Sequence, residues 1–231
     1  MIATIKMEKE MNKDIPKKIA TQLIGFAGKK RVGKDMLGSH LCGFGYRRYS
    51  MAAPLRELVS NMCEVPIEIL EHDHLKSQKF SQPLLLGKEG AQGFMKNIAY
   101  AFSGNEKEKV NKICDKIARH TVNSWRELLQ FIGTDIVRNI MCPTFWIDIG
   151  RARIEGMLTQ SDVVITDVRF ENEVILIKEL GGNVIEVIRE TGEKDDHSSE
   201  DIDFNCDFIL INEGTKTDAF NRIEDIIEEL N

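Results

Sequence analysis

The stretch that most constrains the fold is Gly28-Lys29-Lys30-Arg31-Val32-Gly33-Lys34-Asp35, set between the apolar run Leu23 to Ala27 and the helix-like Met36 to Leu41. Two glycines with four residues between them, followed by lysine, let a chain turn tightly. Consecutive backbone N–H groups then converge on phosphate oxygens at a helix N-terminus. The pattern therefore reads as a phosphate-binding loop between a strand and a helix, with Lys34 reaching the terminal phosphates. Asp35 stands where Ser or Thr ordinarily offers Mg²⁺ a hydroxyl. A carboxylate there can hold the metal directly or through water, but it adds negative charge beside phosphate and sharpens the need for the metal.

Length and composition bound what surrounds this loop. A chain of 231 residues suits one α/β domain with a small inserted subdomain. Its net charge of -6 argues against a nucleic-acid polymer as partner, while leaving room for a nucleotide at a local basic site. Cys42, Cys63, Cys114, Cys142 and Cys206 are widely spaced and form no C-x-x-C, so they read as reduced, packed thiols rather than a metal site. No run approaches the ~20 apolar residues of a membrane span, and the expectation is a soluble cytoplasmic enzyme with no membrane partner.

Taken in order, residues 1–18 read as an N-terminal extension and 19–231 as the domain proper. Tyr46 to Met51 reads as a second strand, and Pro54 suits the first turn of a helix over Leu55 to Met62. Arg56 then falls near the sheet edge where open α/β folds bind ligands, as a ligand contact or a solvated arginine. Pro66 to Ala118 shows no strand alternation and reads as a helical insertion, 66–118, capping the ligand site. His72 and His74, two residues apart on a helix, face apart and read as exposed.

Asn123 to Ile140 reads as the most regular helix, with a Ser124-x-x-Glu127 capping box and a core stripe of Trp125, Leu128, Leu129, Ile132 and Ile136. Arg126, Gln130, Gly133, Thr134 and Arg138 fall on another face. Gln130 and Thr134 offer uncharged donors and acceptors, and Gly133 lets a flat ligand approach the backbone, a pattern suited to recognising a base. Trp146 can pack in the core or stack on the ligand, core being the commoner fate. Arg151 and Arg153 can close over phosphates or stay solvated. Val163 to Thr166 reads as a buried strand ending in Asp167-Val168-Arg169, where Asp167 can orient Mg²⁺ and its waters and Arg169 can clamp a phosphate. Val174 to Leu180 reads as a helix, Asn183 to Ile188 and Phe208 to Ile211 as strands, and Asp218 to Leu230 as a closing helix. His197 reads as a loop anchor rather than a base.

The motifs Gly28-x-x-x-x-Gly33-Lys34-Asp35, Ala53-Pro54-Leu55-Arg56, Gln130-x-x-Gly133-Thr134-Asp135, Phe145-Trp146, Asp167-x-Arg169-x-x-x-Glu173 and His197-x-x-Glu200 come in one order. Together they resemble the deoxynucleoside monophosphate kinases of T-even bacteriophages and their relatives, in which Asp after the loop lysine is a family feature. The resemblance implies an α/β P-loop kinase fold: a five-stranded parallel sheet of order 2-3-1-4-5, flanked by helices, with a helical insertion. It implies that ATP and Mg²⁺ convert a dNMP into a dNDP for viral DNA synthesis, in the host-cell cytoplasm if phage-encoded. On the acceptor side it points to Arg56, Gln130, Gly133, Thr134, Trp146, Arg169 and Glu173. Gly28, Arg31, Gly33, Lys34 and Asp35 fall on the ATP side, Asp35 and Asp167 at the metal, and Lys34, Asp167 and Arg169 in catalysis. Met36 departs from the family's threonine. The insertion aligns poorly, with Lys76 or Lys79 as its phosphate-binding cation.

Two alternatives stand: a P-loop ATPase, GTPase or binding subunit, and a kinase for another small acceptor. No N-K-x-D motif marks a base-specific switch, and Asp-x-Arg replaces the acidic pair usual in a motor. A homodimer is compatible with the sequence, which fixes neither the oligomeric state nor the bases accepted.

Overall fold

The computed structural model describes residues 21–102, 106–189 and 204–230. The expected 1–18 extension and the segment carrying His197 and Glu200 lie outside them. The strands in chain order are β1 (Leu23–Ala27), β2 (Arg47–Tyr49), β3 (Lys79–Leu85), β4 (Thr121–Ser124), β5 (Val163–Val168), β6 (Asn183–Ile188) and β7 (Phe208–Ile211). The helices are α1 (Lys34–Cys42), α2 (Ala53–Cys63), α3 (Ile67–Glu71), α4 (Asp73–Ser77), α5 (Gly87–Ile98), α6 (Lys107–Ala118), α7 (Trp125–Gln130), α8 (Phe145–Leu158), α9 (Glu171–Glu179) and α10 (Lys216–Glu229). The chain divides into two compact units, the second being Tyr49–Arg153 and the first taking in the described residues on either side of it.

The first unit is built on a sheet of order β2-β5-β1-β6-β7. Counting only the strands of this sheet along the chain, that is 2-3-1-4-5, as expected. β1 pairs in parallel with β5 and β6, and β6 with β7. All five residues of β1 are buried. A parallel strand covered on both faces has no solvent side, which is why Leu23 to Ala27 reads as an unbroken apolar run rather than an alternation. Leu37 and Leu41 of α1 and Ala219 and Ile223 of α10 pack with Ile24, Phe26, Val164, Ile185, Val187 and Leu210. Gly25 brings Ile177 of α9 close to β1.

Two irregularities bear on the site. Gly25 pairs with Ile165 but Ala27 with Val168, so β5 carries one more residue than β1 at Thr166 and Asp167. A bulge of this kind bends the strand and redirects its side chains. Gly38 of α1 lies directly over it, and a Cβ at that position would sit 2.3 Å from Thr166 Cγ2.

The second unit has its own core, in which Phe94, Ile98, Ile113, Ile117, Leu128, Ile132 and Ile136 are fully buried. Two expectations are corrected here. The stretch 66–118 is not purely helical, because it contains β3, which pairs antiparallel with β4. Every residue of β3 except Phe80 is exposed, so the strand has no buried face to write an alternation into its sequence. The single regular helix expected over 123–140 is instead the end of β4, the short α7, and a π-helical stretch, Phe131–Met141. The Cys142 N–H donates to Val137 O at 2.8 Å, closing that stretch with a bond to the fifth preceding residue. Its buried positions include Phe131, Ile136 and Met141, and Ile132 and Val137, each five apart. The expected cap is present: Ser124 Oγ accepts from the Glu127 N–H at 3.2 Å.

Replacing a mid-helix glycine by alanine ordinarily stabilises a helix by about 0.5–1 kcal/mol. At Gly38 the β-branched Thr166 is too stiff to yield, and overpacking costs about 1–3 kcal/mol, so the sign reverses. Gly38→Ala is expected to lower the urea midpoint of unfolding; an unchanged or raised midpoint would refute the close approach of α1 to β5.

Candidate active site

The loop after β1 takes its shape from three residues in the left-handed region: Gly28 (φ 137), Arg31 (φ 66) and Gly33 (φ 105). At the two glycines the requirement is also spatial. A Cβ on Gly28 would lie 2.4 Å from Val187 O, and one on Gly33 2.3 Å from Asn212 Nδ2. Arg31 has no such licence, and a non-glycine residue held in this conformation costs about 1–3 kcal/mol, a strain that marks functional loops. Gly33 caps α1, and the Leu37 N–H donates to Gly33 O at 3.0 Å.

Asn212 anchors the loop from outside it. The residue is buried, its N–H donates to Ile188 O at 2.7 Å, and its Nδ2 donates to Val32 O at 2.6 Å. Nothing local in Ile211-Asn212-Glu213-Gly214 distinguishes it from an ordinary turn asparagine, so this residue is invisible to sequence reasoning. The Lys34 ammonium donates to Gly28 O at 2.5 Å and Lys29 O at 2.7 Å, which folds its side chain back across the loop.

Asp35, in the first turn of α1, is exposed, yet its Oδ1 accepts a hydrogen bond from Arg48 Nη2. Thr166 Oγ1 donates to the same oxygen at 3.1 Å, and Arg48 Nε donates to Thr166 Oγ1 at 3.1 Å. The loop carboxylate is thereby tied to the bulge of β5, beside Asp167. Asp35 and Asp167 are hard oxygen donors. Mg²⁺ is commonly held by one or two carboxylates together with substrate phosphates, so this donor set fits that ion. No group of three or more His, Cys, Asp or Glu suited to a metal occurs among the described residues.

Beyond β5, Arg169 is exposed at the turn into α9. Glu173 is buried, and its Oε2 accepts from the Arg169 N–H at 2.8 Å and the Phe170 N–H at 3.2 Å. A carboxylate at a helix N-terminus is doubly favoured, by the free N–H groups and by the helix dipole. Glu173 therefore fixes the backbone from which the Arg169 side chain springs.

In the second unit, Arg56 Nη2 donates to Ser50 Oγ at 2.7 Å, while its buried Nε has no hydrogen-bond partner among the described residues. Lys76 pairs with Asp73 at 2.9 Å. Arg126 donates through Nη2 to the same carboxylate at 3.0 Å, and through Nε to Ser77 Oγ at 2.8 Å. Burial pulls the Lys76 ammonium below the usual lysine range; Asp73 opposes this, while Arg126 and Arg56 add to the lowering. Two cations thus share one carboxylate, and the charge of a third, Arg56, acts on Lys76. Of the two insertion lysines, Lys76 joins this group. Arg126 is a member that the sequence offers only as one residue of a helix face.

Gln130 and Thr134 are both exposed on the neighbouring helical segment. Gly133 is buried, with Leu55 occupying the space a Cβ would need, at 2.6 Å. Trp146 is core: it is buried, and its Nε1 donates to Gly133 O at 3.1 Å. Arg153 is clamped bidentately by Glu57 at 2.7 and 2.6 Å. His72 and His74 are exposed, and all five cysteines are free thiols, with Cys63 and Cys206 pushed up to about 11, chiefly by burial.

A parallel sheet of order 2-3-1-4-5 with this loop after β1 defines the P-loop kinase fold. A family model described as deoxynucleotide monophosphate kinase matches residues 22–223. The chain belongs to that family, one of phosphotransferases. The deoxynucleotide monophosphate kinase of Escherichia phage RB69 is 22% identical over 255 residues, covering 89% of this chain and 99% of that protein. A putative deoxynucleotide monophosphate kinase of Acanthamoeba polyphaga mimivirus is 33% identical over 113 residues, covering 42% of this chain and 58% of that relative's length. No helix among the described residues is long and apolar enough to cross a membrane.

Asn212→Ala removes the donor to a buried carbonyl, and leaving such a group unsatisfied costs about 1–3 kcal/mol. The variant is expected to unfold at lower urea and to exchange its loop amides faster than the rest of the first unit. Unaltered exchange at Val32 and Gly33 would show that Asn212 does not hold the loop.

Proposed function

We propose that the protein is an ATP-dependent kinase that converts deoxynucleoside monophosphates into diphosphates, supplying precursors for viral DNA synthesis in the cytoplasm of the host cell. One observation carries this reading: the chain holds two separate sets of cations suited to phosphate. Lys34 begins the helix at the end of the loop after β1, while in the second unit Lys76 and Arg126 share Asp73 and the charge of Arg56, whose buried Nε has no partner among the described residues, acts on Lys76. An ATPase or a switch requires only the first set. Transfer between two phosphorylated nucleotides requires both.

On this reading Gly28, Arg31, Gly33 and Lys34 cradle the phosphates of ATP. Arg56, with Lys76 and Arg126, holds the acceptor phosphate, and the insertion shapes the acceptor pocket of a kinase domain spanning 19–231. Gln130 and Thr134 offer hydrogen bonds to the base, while Gly133 and Trp146 hold the wall that carries them. An acceptor phosphate oxygen attacks the γ-phosphorus in line, the bond from that phosphorus to the bridging oxygen breaks, and ADP leaves. Such a transition state calls for positioning and charge stabilisation rather than a covalent intermediate. Lys34 offsets charge on the transferring group, Arg169 clamps a phosphate, and Glu173 sets Arg169 in place. Mg²⁺ held by Asp35 and Asp167 supplies further neutralisation when bound.

A panel of deoxynucleoside and ribonucleoside monophosphates, incubated with ATP and Mg²⁺ and scored for diphosphate, tests the assignment. If ATP is hydrolysed and no monophosphate is phosphorylated, the ATPase reading replaces this one. Lys34→Ala is expected to lower transfer by about 10²-fold or more with the fold intact. Arg56→Ala removes a charge-assisted contact worth about 1.5–3 kcal/mol, and is expected to raise the acceptor KM by about 10- to 100-fold with little change in the KM for ATP. Equal effects on both KM values would place Arg56 elsewhere.

A further inference from the structure

We infer that Arg48 is a positioning residue that neutralises the loop carboxylate Asp35, so that a polyphosphate can enter the loop before its metal arrives; this rests on the phosphate-loop reading proposed above. An anion at Asp35 stands in the first turn of α1, where N–H groups and the helix dipole would otherwise serve phosphate alone. Repulsion between that carboxylate and a triphosphate has to be offset. The first unit contains the offset: Arg48, the middle residue of β2, donates through Nη2 to Asp35 Oδ1 and through Nε to Thr166 Oγ1, and Thr166 Oγ1 donates to the same Asp35 oxygen.

The three groups form a closed ring of hydrogen bonds with one member fixed. Thr166 is buried at the bulge of β5, so it holds a fixed orientation against which both exposed charges are set. A guanidinium presents several donors in a rigid fork, and here one edge spans a hydroxyl and a carboxylate. The pairing assigns Arg48 a role distinct from that of Lys34, whose ammonium donates to carbonyls of the loop itself. Met36 supplies no hydroxyl at the following position. Thr166, from another strand, brings one to the carboxylate instead.

If Arg48 acts through Asp35, its removal matters most where nothing else cancels that charge. Binding of ATP to the full-length protein, measured by calorimetry with excess EDTA and again with saturating Mg²⁺, separates the two conditions. Because the pair is exposed and screened, Arg48→Gln is expected to weaken ATP binding by about 5-fold in EDTA and by less than about 2-fold with Mg²⁺. Arg48→Lys, keeping the charge but not the fork, is expected to fall between. The double variant Arg48→Gln with Asp35→Asn is expected to regain wild-type affinity in EDTA, because the charge requiring an offset is gone. Failure of that rescue, or equal weakening in both conditions, would mean that Arg48 contacts phosphate directly and would overturn the inference. Wild-type affinity for Arg48→Gln in EDTA would overturn it as well. If the wild-type chain binds no ATP in either condition, the phosphate-loop reading itself fails.

Discussion

The loop after β1 depends on two close approaches that no side chain permits: Gly28 against the Val187 carbonyl and Gly33 against the Asn212 amide. Each joins the loop to a different part of the sheet, the first to β6 and the second to the end of β7. Because both contacts are sub-van der Waals for a Cβ, they act as a steric template rather than an attraction. The backbone either takes the left-handed conformation there or the sheet edge does not close around it. The buried run of β1 follows from the same arrangement, since a strand that delivers such a loop from the middle of a parallel sheet is covered on both sides.

Charge sets the second constraint. The acidic residue of the loop, Asp35, accepts hydrogen bonds from Arg48 and Thr166, and Thr166 reaches it from a bulge that gives β5 one residue more than β1. In the second unit the imbalance runs the other way: Lys76 and Arg126 share Asp73, Arg56 adds a further positive charge that acts on Lys76, and the buried Nε of Arg56 has no hydrogen-bond partner among the described residues. A surplus of buried or half-buried cations is costly unless an anion completes it. That is the physical reason to connect this cluster with a phosphorylated acceptor.

The fold was largely legible because parallel strands write themselves as apolar runs and the loop motif fixes what flanks it. The second unit was less so. β3 is exposed along nearly its whole length and carries no alternation. The π-helical stretch was read with a period near four, which finds Ile132 and Ile136 but not the five-residue recurrence of Phe131, Ile136 and Met141. That recurrence was a signal in plain view. Small and aromatic residues serve both packing and recognition; the core reading of Trp146 agrees with its burial, its Nε1 donates to the Gly133 carbonyl, and Leu55 fills the space beside Gly133.

The sequence by itself determined the glycine-framed loop after β1 and, through its family resemblance, the sheet order, because the loop rests on local spacing and on glycine's freedom at φ above zero. Only the tertiary structure decided which residues meet. Asn212 is 180 positions from Val32, Thr166 is 131 from Asp35, and Arg126 is 53 from Asp73. Contacts across such separations leave no mark on local pattern, since what selects their members is the packing of strands and helices far apart in the chain.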